Sequence, residues 1–303
     1  MYLSYFGLSE KPFSIAPNPE YLFLSERHKE ALAHLTFGLG DAGGFVLLTG
    51  EVGTGKTTVT RCMLEQLSDS TQVAFILNPA LNELELLASI CDELKIRYKK
   101  SETSLKDLTD KIKSRLLKNH QAGGHTLLII DEAQHLSAAV LEQLRLLTNL
   151  ETNTKKLLQI ILVGQPELQQ LLKRNDLRQL AQRITARYHL LPLNESQVFA
   201  YIQHRIFKAG GQTQLFEMGS IKLIHQLTAG IPRLINLLCD RALMGAYSNQ
   251  YPLVTKAVVK KAAAEVLPDQ VTEQKVSSNG AKWVWWFAGV AMLLSGFALS
   301  YVF

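Results

Sequence analysis

Two short segments carry side chains whose types and spacing could act on phosphate. In "LLTGEVGTGKTTVTRCM", Gly50, Gly55, Lys56 and Thr57 satisfy the pattern G-x-x-x-x-G-K-[ST]. Glycines let the backbone turn tightly enough for successive N–H groups to converge on phosphate oxygens, and the N-terminus of a following helix adds to that field. The whole turn, Gly50, Glu51, Val52, Gly53, Thr54, Gly55, Lys56, Thr57 and Thr58, is therefore a candidate phosphate cradle. In it Lys56 would reach the β- and γ-phosphates and the Thr57 hydroxyl would hold Mg2+. In the second segment, "LLIIDEAQ", an apolar strand delivers Asp131 and Glu132 to a sheet's carboxyl edge, where ligands bind in α/β folds. Asp131 would assist Thr57 with Mg2+, and Glu132 would polarise the attacking water. No guanine-reading N-K-x-D motif is present, so ATP is expected rather than GTP.

Such groups need a sheet behind them, and the sequence supplies one. Apolar runs at residues 45–49, 72–77, 126–130, 157–164 and 188–193 alternate with helical patterns such as "ELELLASICDEL" and "SAAVLEQLRLLTNL". Continuous apolarity, rather than alternation, implies strands covered on both faces, hence a mainly parallel sheet flanked by helices. The expected fold class is α/β, of the P-loop NTPase kind, over residues 1–193. After Leu193 the strand signals stop. "NESQVFAYIQHRIFKAGG", opened by Asn194 as a cap, leads three further helical patterns, and residues 194–267 read as a small helical domain. Residues 268–282 are polar, with a proline, a Ser-Ser and an Asn-Gly, and read as a linker.

Residues 283–303, "WVWWFAGVAMLLSGFALSYVF", contain no charged side chain. A helix of about 20 apolar residues crosses a bilayer's hydrocarbon core. Trp283, Trp285 and Trp286 at one end and Tyr301 at the other suit the two membrane–water interfaces. A transmembrane helix is expected, with the preceding side cytoplasmic. The N-terminus lacks a charged n-region and a long apolar h-region, so no cleaved leader is expected. The net charge of +5 fits an acidic partner without selecting one. Cys62, Cys91 and Cys239 lack metal or redox spacing and read as buried thiols of a reducing compartment. Residues 95–118 hold nine Lys/Arg against three Asp/Glu. Such a stretch could touch DNA, anionic lipid or a protein, but a solvated surface helix is the simpler reading.

The two phosphate-facing segments, followed by a helical lid, resemble the AAA+ ATPases. Within them the chain is similar to the group containing the general-secretion ATPase ExeA and the MSHA-pilus biogenesis protein MshM. The blocks that carry this are "YFGLSEKPFSIAPNPEYLFLSERHKEALAHLTFGL", "LTGEVGTGKTT", "DEAQHL", "LLQIILVGQPEL", "LRQLAQRITARYHLLPL" and "GIPRLINLLCDRAL". The resemblance implies a role for Gln165 as the sensor that contacts the γ-phosphate or its water. It implies that Arg233 is the lid arginine carried onto the bound nucleotide, and that Arg183 is the finger that reaches a neighbouring subunit's ATP, with Arg178 and Arg187 as nearby alternatives. It further implies a homo-oligomer at the cytoplasmic face of a bacterial inner membrane. There it would spend ATP on assembling an envelope machine with pilus or secretion partners. Because this sequence ends at the apolar segment, where secretion members continue into a periplasmic domain, an MSHA-type pilus is the first expectation. A secretion machine is the second. A nucleotide-gated scaffold and a DNA-binding transposition regulator are the alternatives from other classes.

Overall fold

Five parallel strands in the order β2-β3-β4-β1-β5 form the sheet that supports both phosphate-facing segments. In this computed structural model, residues 2–267 are described, apart from residues 17, 39–43, 78–79, 100–103, 153–154 and 213. The elements in chain order are α1 Tyr2–Tyr5, α2 Glu26–Gly38, β1 Gly44–Gly50, α3 Lys56–Glu65, β2 Thr71–Ile76, α4 Glu83–Glu93, α5 Leu105–Gln121 and β3 His125–Ile130. There follow α6 Ala138–Leu147, β4 Gln159–Gly164, α7 Pro166–Leu171, α8 Arg178–Ala181, β5 Ile184–Leu190, α9 Glu195–Lys208, α10 Met218–Thr228, α11 Pro232–Ser248 and α12 Lys256–Val266. The chain divides into two units, one of residues 22–193 and one of residues 2–21 with 194–267.

In the sheet unit, side chains of β1, β3 and β4 alternate between two buried faces. Phe45, Leu47, Leu128, Ile130, Ile160 and Leu162 pack with Leu86, Leu87 and Ile90 of α4, Leu108, Ile112 and Leu116 of α5, and Val140 and Leu144 of α6. Val46, Leu48, Leu127, Ile129, Ile161 and Val163 pack with Ala31 and Leu35 of α2 and Val59 and Met63 of α3. Helices on both faces are why these strands read as unbroken apolar runs. The register sets Leu128 beside Ile160 and Ile160 beside Phe45, so all three strands end at one edge. The last strand differs from expectation. It runs Ile184–Leu190 instead of 188–193, because as an edge strand it alternates, exposing Thr185, Arg187 and His189. A search for continuous apolarity finds only its end. Similarly β4 begins at Gln159, not at residue 157, since Leu157 and Leu158 are buried ahead of the ladder.

The helical unit starts as expected. The Asn194 side chain accepts from Gln197 N, while the Gln197 side chain accepts from Asn194 N, a reciprocal cap for α9. Residues 2–21, expected with the nucleotide-binding domain, belong instead to this helical unit. The cause is a set of long-range contacts. The Tyr2 hydroxyl donates to Asp240 Oδ1 at 2.6 Å, Ser9 N donates to Ala209 O, and Phe13 meets Phe216 edge-on at 5.9 Å. The buried Arg205 guanidinium donates to Pro12 O, Ser14 O and the Tyr201 hydroxyl. Burial and the neighbouring Asp240 push the Tyr2 hydroxyl's pKa well up, so it stays a donor.

Five exposed cations of the basic stretch, Lys106, Lys111, Lys113, Arg115 and Lys118, lie on α5, which buries Leu108, Ile112 and Leu116, while the exposed Lys95, Arg97 and Lys99 precede it. Among the described residues no helix is long and apolar enough to cross a membrane. The linker 268–282 and the apolar segment 283–303 lie outside the described residues.

Candidate functional site

The turn after β1 is shaped by glycine at the positions where geometry demands it. Gly53 and Gly55 have φ of 81° and 103°, a region that side-chain-bearing residues rarely adopt. A Cβ on Gly55 would also lie 2.7 Å from His28 Nε2. Gly55 caps α3 without offering a side-chain acceptor, so the first-turn N–H groups of that helix keep their positive end available to an anion. Thr54, 1% exposed, closes the turn by donating from Oγ1 to Glu51 O at 2.8 Å. The Lys56 ammonium is buried and donates to Gly50 O at 2.8 Å and Glu51 O at 3.0 Å. Burial lowers the Lys56 pKa; Glu132, Asp131, Glu51 and Glu167 pull it back up.

Across the sheet edge, Asp131 continues β3 by donating its N–H to Ile76 O, and its Oδ2 accepts from Thr57 Oγ1 at 3.3 Å. Burial raises the Asp131 pKa, partly countered by the N–H of Glu132 and the hydroxyl of Thr57. Glu132 moves the other way. Burial works to raise it, but the amide donors of Gln134 and Gln165, with Lys56, bring it below its ordinary range. The donors are close: Gln134 Nε2 to Glu132 Oε2 is 2.7 Å and Gln165 Nε2 to the same oxygen is 3.1 Å. Glu132 itself sits at φ 52°, a left-handed conformation at the entry to a short 3-10 helix, Ala133–His135. Two neighbouring carboxylates in opposite environments suit two different tasks.

A family profile described as "AAA domain" matches residues 40–172, the stretch that holds both segments. General secretion pathway protein A of Aeromonas hydrophila is 56% identical over 294 residues, covering 94% of this chain and 54% of its own length. Over nearly its whole length this chain is similar to the ExeA group of AAA+ ATPases. It spans about half the length of that curated relative. The AAA+ fold recurs in solved structures of far lower identity. Cdc6p of Pyrobaculum aerophilum superposes with a TM-score of 0.67 at 20% identity, over 84% of this chain and 70% of that one. The Holliday-junction branch-migration motor RuvB of Thermotoga maritima gives 0.53 at 20% identity, over 81% and 70%.

Within this AAA+ unit, the residues expected from sequence are brought together in part. Lys56, Thr57, Asp131, Glu132 and Gln165 converge on one sheet edge through the hydrogen bonds above. Gln165 precedes α7 and makes no side-chain cap there, which leaves its amide for Glu132. Arg183 is half-buried, and its Nη1 donates to Thr148 Oγ1 at 2.9 Å and Arg145 O at 3.3 Å, tying it to the end of α6. Arg187 donates from Nη2 to Ala181 O, and Arg178 is exposed at the start of α8. Arg233 is exposed in the first turn of α11, in the helical unit.

Sequence reading missed two residues. His28 is 4% exposed, with Nδ1 2.6 Å from Ser25 Oγ and Nε2 3.1 Å from Thr54 O. It braces the turn from α2, and the only sequence signal is a serine three residues earlier at a helix start. Gln134 lay inside the quoted "DEAQ" but had no role assigned.

Proposed function

We propose that this protein hydrolyses ATP with Mg2+ and couples the cycle to assembly of a cell-envelope machine. The observation that carries the reading is the convergence of a buried lysine, a hydroxyl–carboxylate pair and an amide-bound carboxylate on one sheet edge. The donor set fits Mg2+, since hard oxygens from Thr57 and Asp131 stand 3.3 Å apart. When bound, Mg2+ neutralises charge on the transferring phosphoryl group. The turn's N–H groups and Lys56 hold the phosphates in place, Glu132 accepts a hydrogen bond from the attacking water, and Gln165 orients that water or the γ-phosphate. Arg183 supplies the trans-acting guanidinium in an oligomer, and Arg233 closes the helical unit onto nucleotide. These roles rest on the resemblance of the motif blocks in this sequence to those of AAA+ ATPases.

Residues 283–303 anchor the protein in the cytoplasmic membrane with the ATPase on the cytoplasmic side; their charge-free, aromatic-bounded sequence supports this. The machine is a type IV pilus of the MSHA kind or a general-secretion apparatus, and 56% identity to a protein named for general secretion favours the latter. Detergent extraction followed by identification of the proteins retained with ATP distinguishes them. Hydrolysis is tested by Glu132→Gln and Lys56→Ala in the full chain. The first keeps ATP binding and loses turnover, because an amide cannot polarise water; the second loses binding. Wild-type turnover in Glu132→Gln would remove the water-activating assignment.

A further inference from the structure

Gln134 spans the two halves of the site. Its Oε1 accepts from the backbone N–H of Gln165 at 3.0 Å, and its Nε2 donates to Glu132 Oε2 at 2.7 Å. The orientation of this amide follows from chemistry, since a backbone N–H only donates and an ionised carboxylate only accepts. Space for it is made by Gly164, the last residue of β4, where a Cβ would lie 2.8 Å from Gln134 Oε1 and 3.4 Å from Gln134 N. Gln165 closes the ring by donating from its side chain to the same Glu132 oxygen at 3.1 Å. Both amides therefore land on Oε2, and among the described residues none donates to Oε1.

We infer that Gln134 is a positioning residue that fixes which Glu132 oxygen faces water and ties that carboxylate to the end of β4. Resting on the proposed hydrolysis, this assigns Oε1 as the oxygen that accepts from water, with Oε2 occupied by the two amides. It also makes the carboxylate and Gln165 move together. The backbone of Gln165 and its side chain both reach Glu132, the first through Gln134 and the second directly. A shift of Gln165 on meeting a γ-phosphate is thereby passed to Glu132 as a change of place. A free carboxylate on a 3-10 turn would have neither constraint.

Three full-chain variants test this by two independent measurements. Gln134→Met keeps length but removes both bonds. Gln134→Glu keeps an acceptor for the Gln165 N–H and removes the donor to Glu132. Gly164→Ala leaves Gln134 in the sequence but puts a methyl group where its amide lies. Steady-state ATP hydrolysis should show kcat reduced by about tenfold to a hundredfold in each, the cost of misplacing a reacting group or losing a bond to a charged one, with KM within about threefold of wild type. Amide hydrogen exchange without nucleotide should show the Gln165 N–H released in Gln134→Met and Gly164→Ala and protected in Gln134→Glu. Unchanged kcat with unchanged protection in Gln134→Met overturns the inference, as does a loss confined to KM. If the wild-type protein hydrolyses no ATP, the hydrolysis reading fails by itself, while the exchange pattern still decides whether Gln134 holds Gln165.

Discussion

His28 offers a direct measure of how firmly the phosphate-binding turn is held from outside. A carbonyl only accepts, so the Nε2 atom 3.1 Å from Thr54 O carries the proton, and Nδ1 then accepts from the Ser25 hydroxyl at 2.6 Å. The neutral ring satisfies both contacts. Burial pushes the His28 pKa down, against a smaller upward pull from the Thr54 carbonyl. His28→Ala strands a buried carbonyl and leaves a ring-sized void, together costing about 3–5 kcal/mol. His28→Gln keeps an amide N–H near the same place and should cost only about 1 kcal/mol. The pH arm has a definite sign. An unfolded histidine takes its proton near about pH 6.5, while the folded one resists to lower pH. The stabilisation is therefore complete above about pH 6.5 and is lost as pH falls toward the folded value, at up to about 1.4 kcal/mol per pH unit. Urea unfolding of the full chain at two pH values, with binding of a fluorescent ATP analogue, reads both effects. Between neutral and mildly acidic pH, wild type should lose more stability than His28→Gln, which has no proton to gain. Equal losses, or a His28→Ala protein that unfolds and binds nucleotide like wild type, would refute the reasoning.

Gly55→Ala should weaken nucleotide binding strongly, because its φ of 103° strains any side chain and the added methyl meets His28 at 2.7 Å; isothermal titration with ATP reads the loss, and unchanged affinity would contradict it. Arg183→Ala should keep ATP affinity and lose turnover, with a finger worth roughly 10³–10⁵ in rate where one operates. Mixing it with Lys56→Ala should restore some activity, since one subunit offers an intact cradle and the other an intact finger. No rescue would leave Arg183 as a clamp on the end of α6 alone. Deleting residues 283–303 should move the protein from the membrane to the soluble fraction with nucleotide binding intact, measured by carbonate-washed fractionation, and persistent membrane association would count against the anchor.

The cradle and its carboxylates were legible because their chemistry is local in sequence. Gly50 to Thr57 is one turn, and Asp131 and Glu132 end one apolar run. The central strands were legible too, since helices on both sides leave no polar positions in them. The edge strand β5 was misplaced because half of its residues face water. His28 was invisible for a different reason. Its partner is a backbone carbonyl 26 residues away, which no pattern of residue types encodes. The same holds for residues 2–21, whose partners Ala209, Phe216 and Asp240 lie about 200 positions later.

That last pairing orders the protein's synthesis. The sheet unit is continuous in the chain and has every residue it needs once the ribosome has passed Leu193 with enough chain to clear the tunnel. The helical unit joins residues made before the sheet unit to residues made after it. Phe6, Leu8 and Phe13, each buried in the finished protein, have nothing to pack on until α9 to α11 emerge. At ordinary elongation rates of about 5–20 residues per second, they wait on the order of 10–40 seconds. In the last part of that interval, once the sheet unit is complete, a short apolar segment trails from it, a natural target for a holding chaperone. It is released only when its own C-terminal partners arrive.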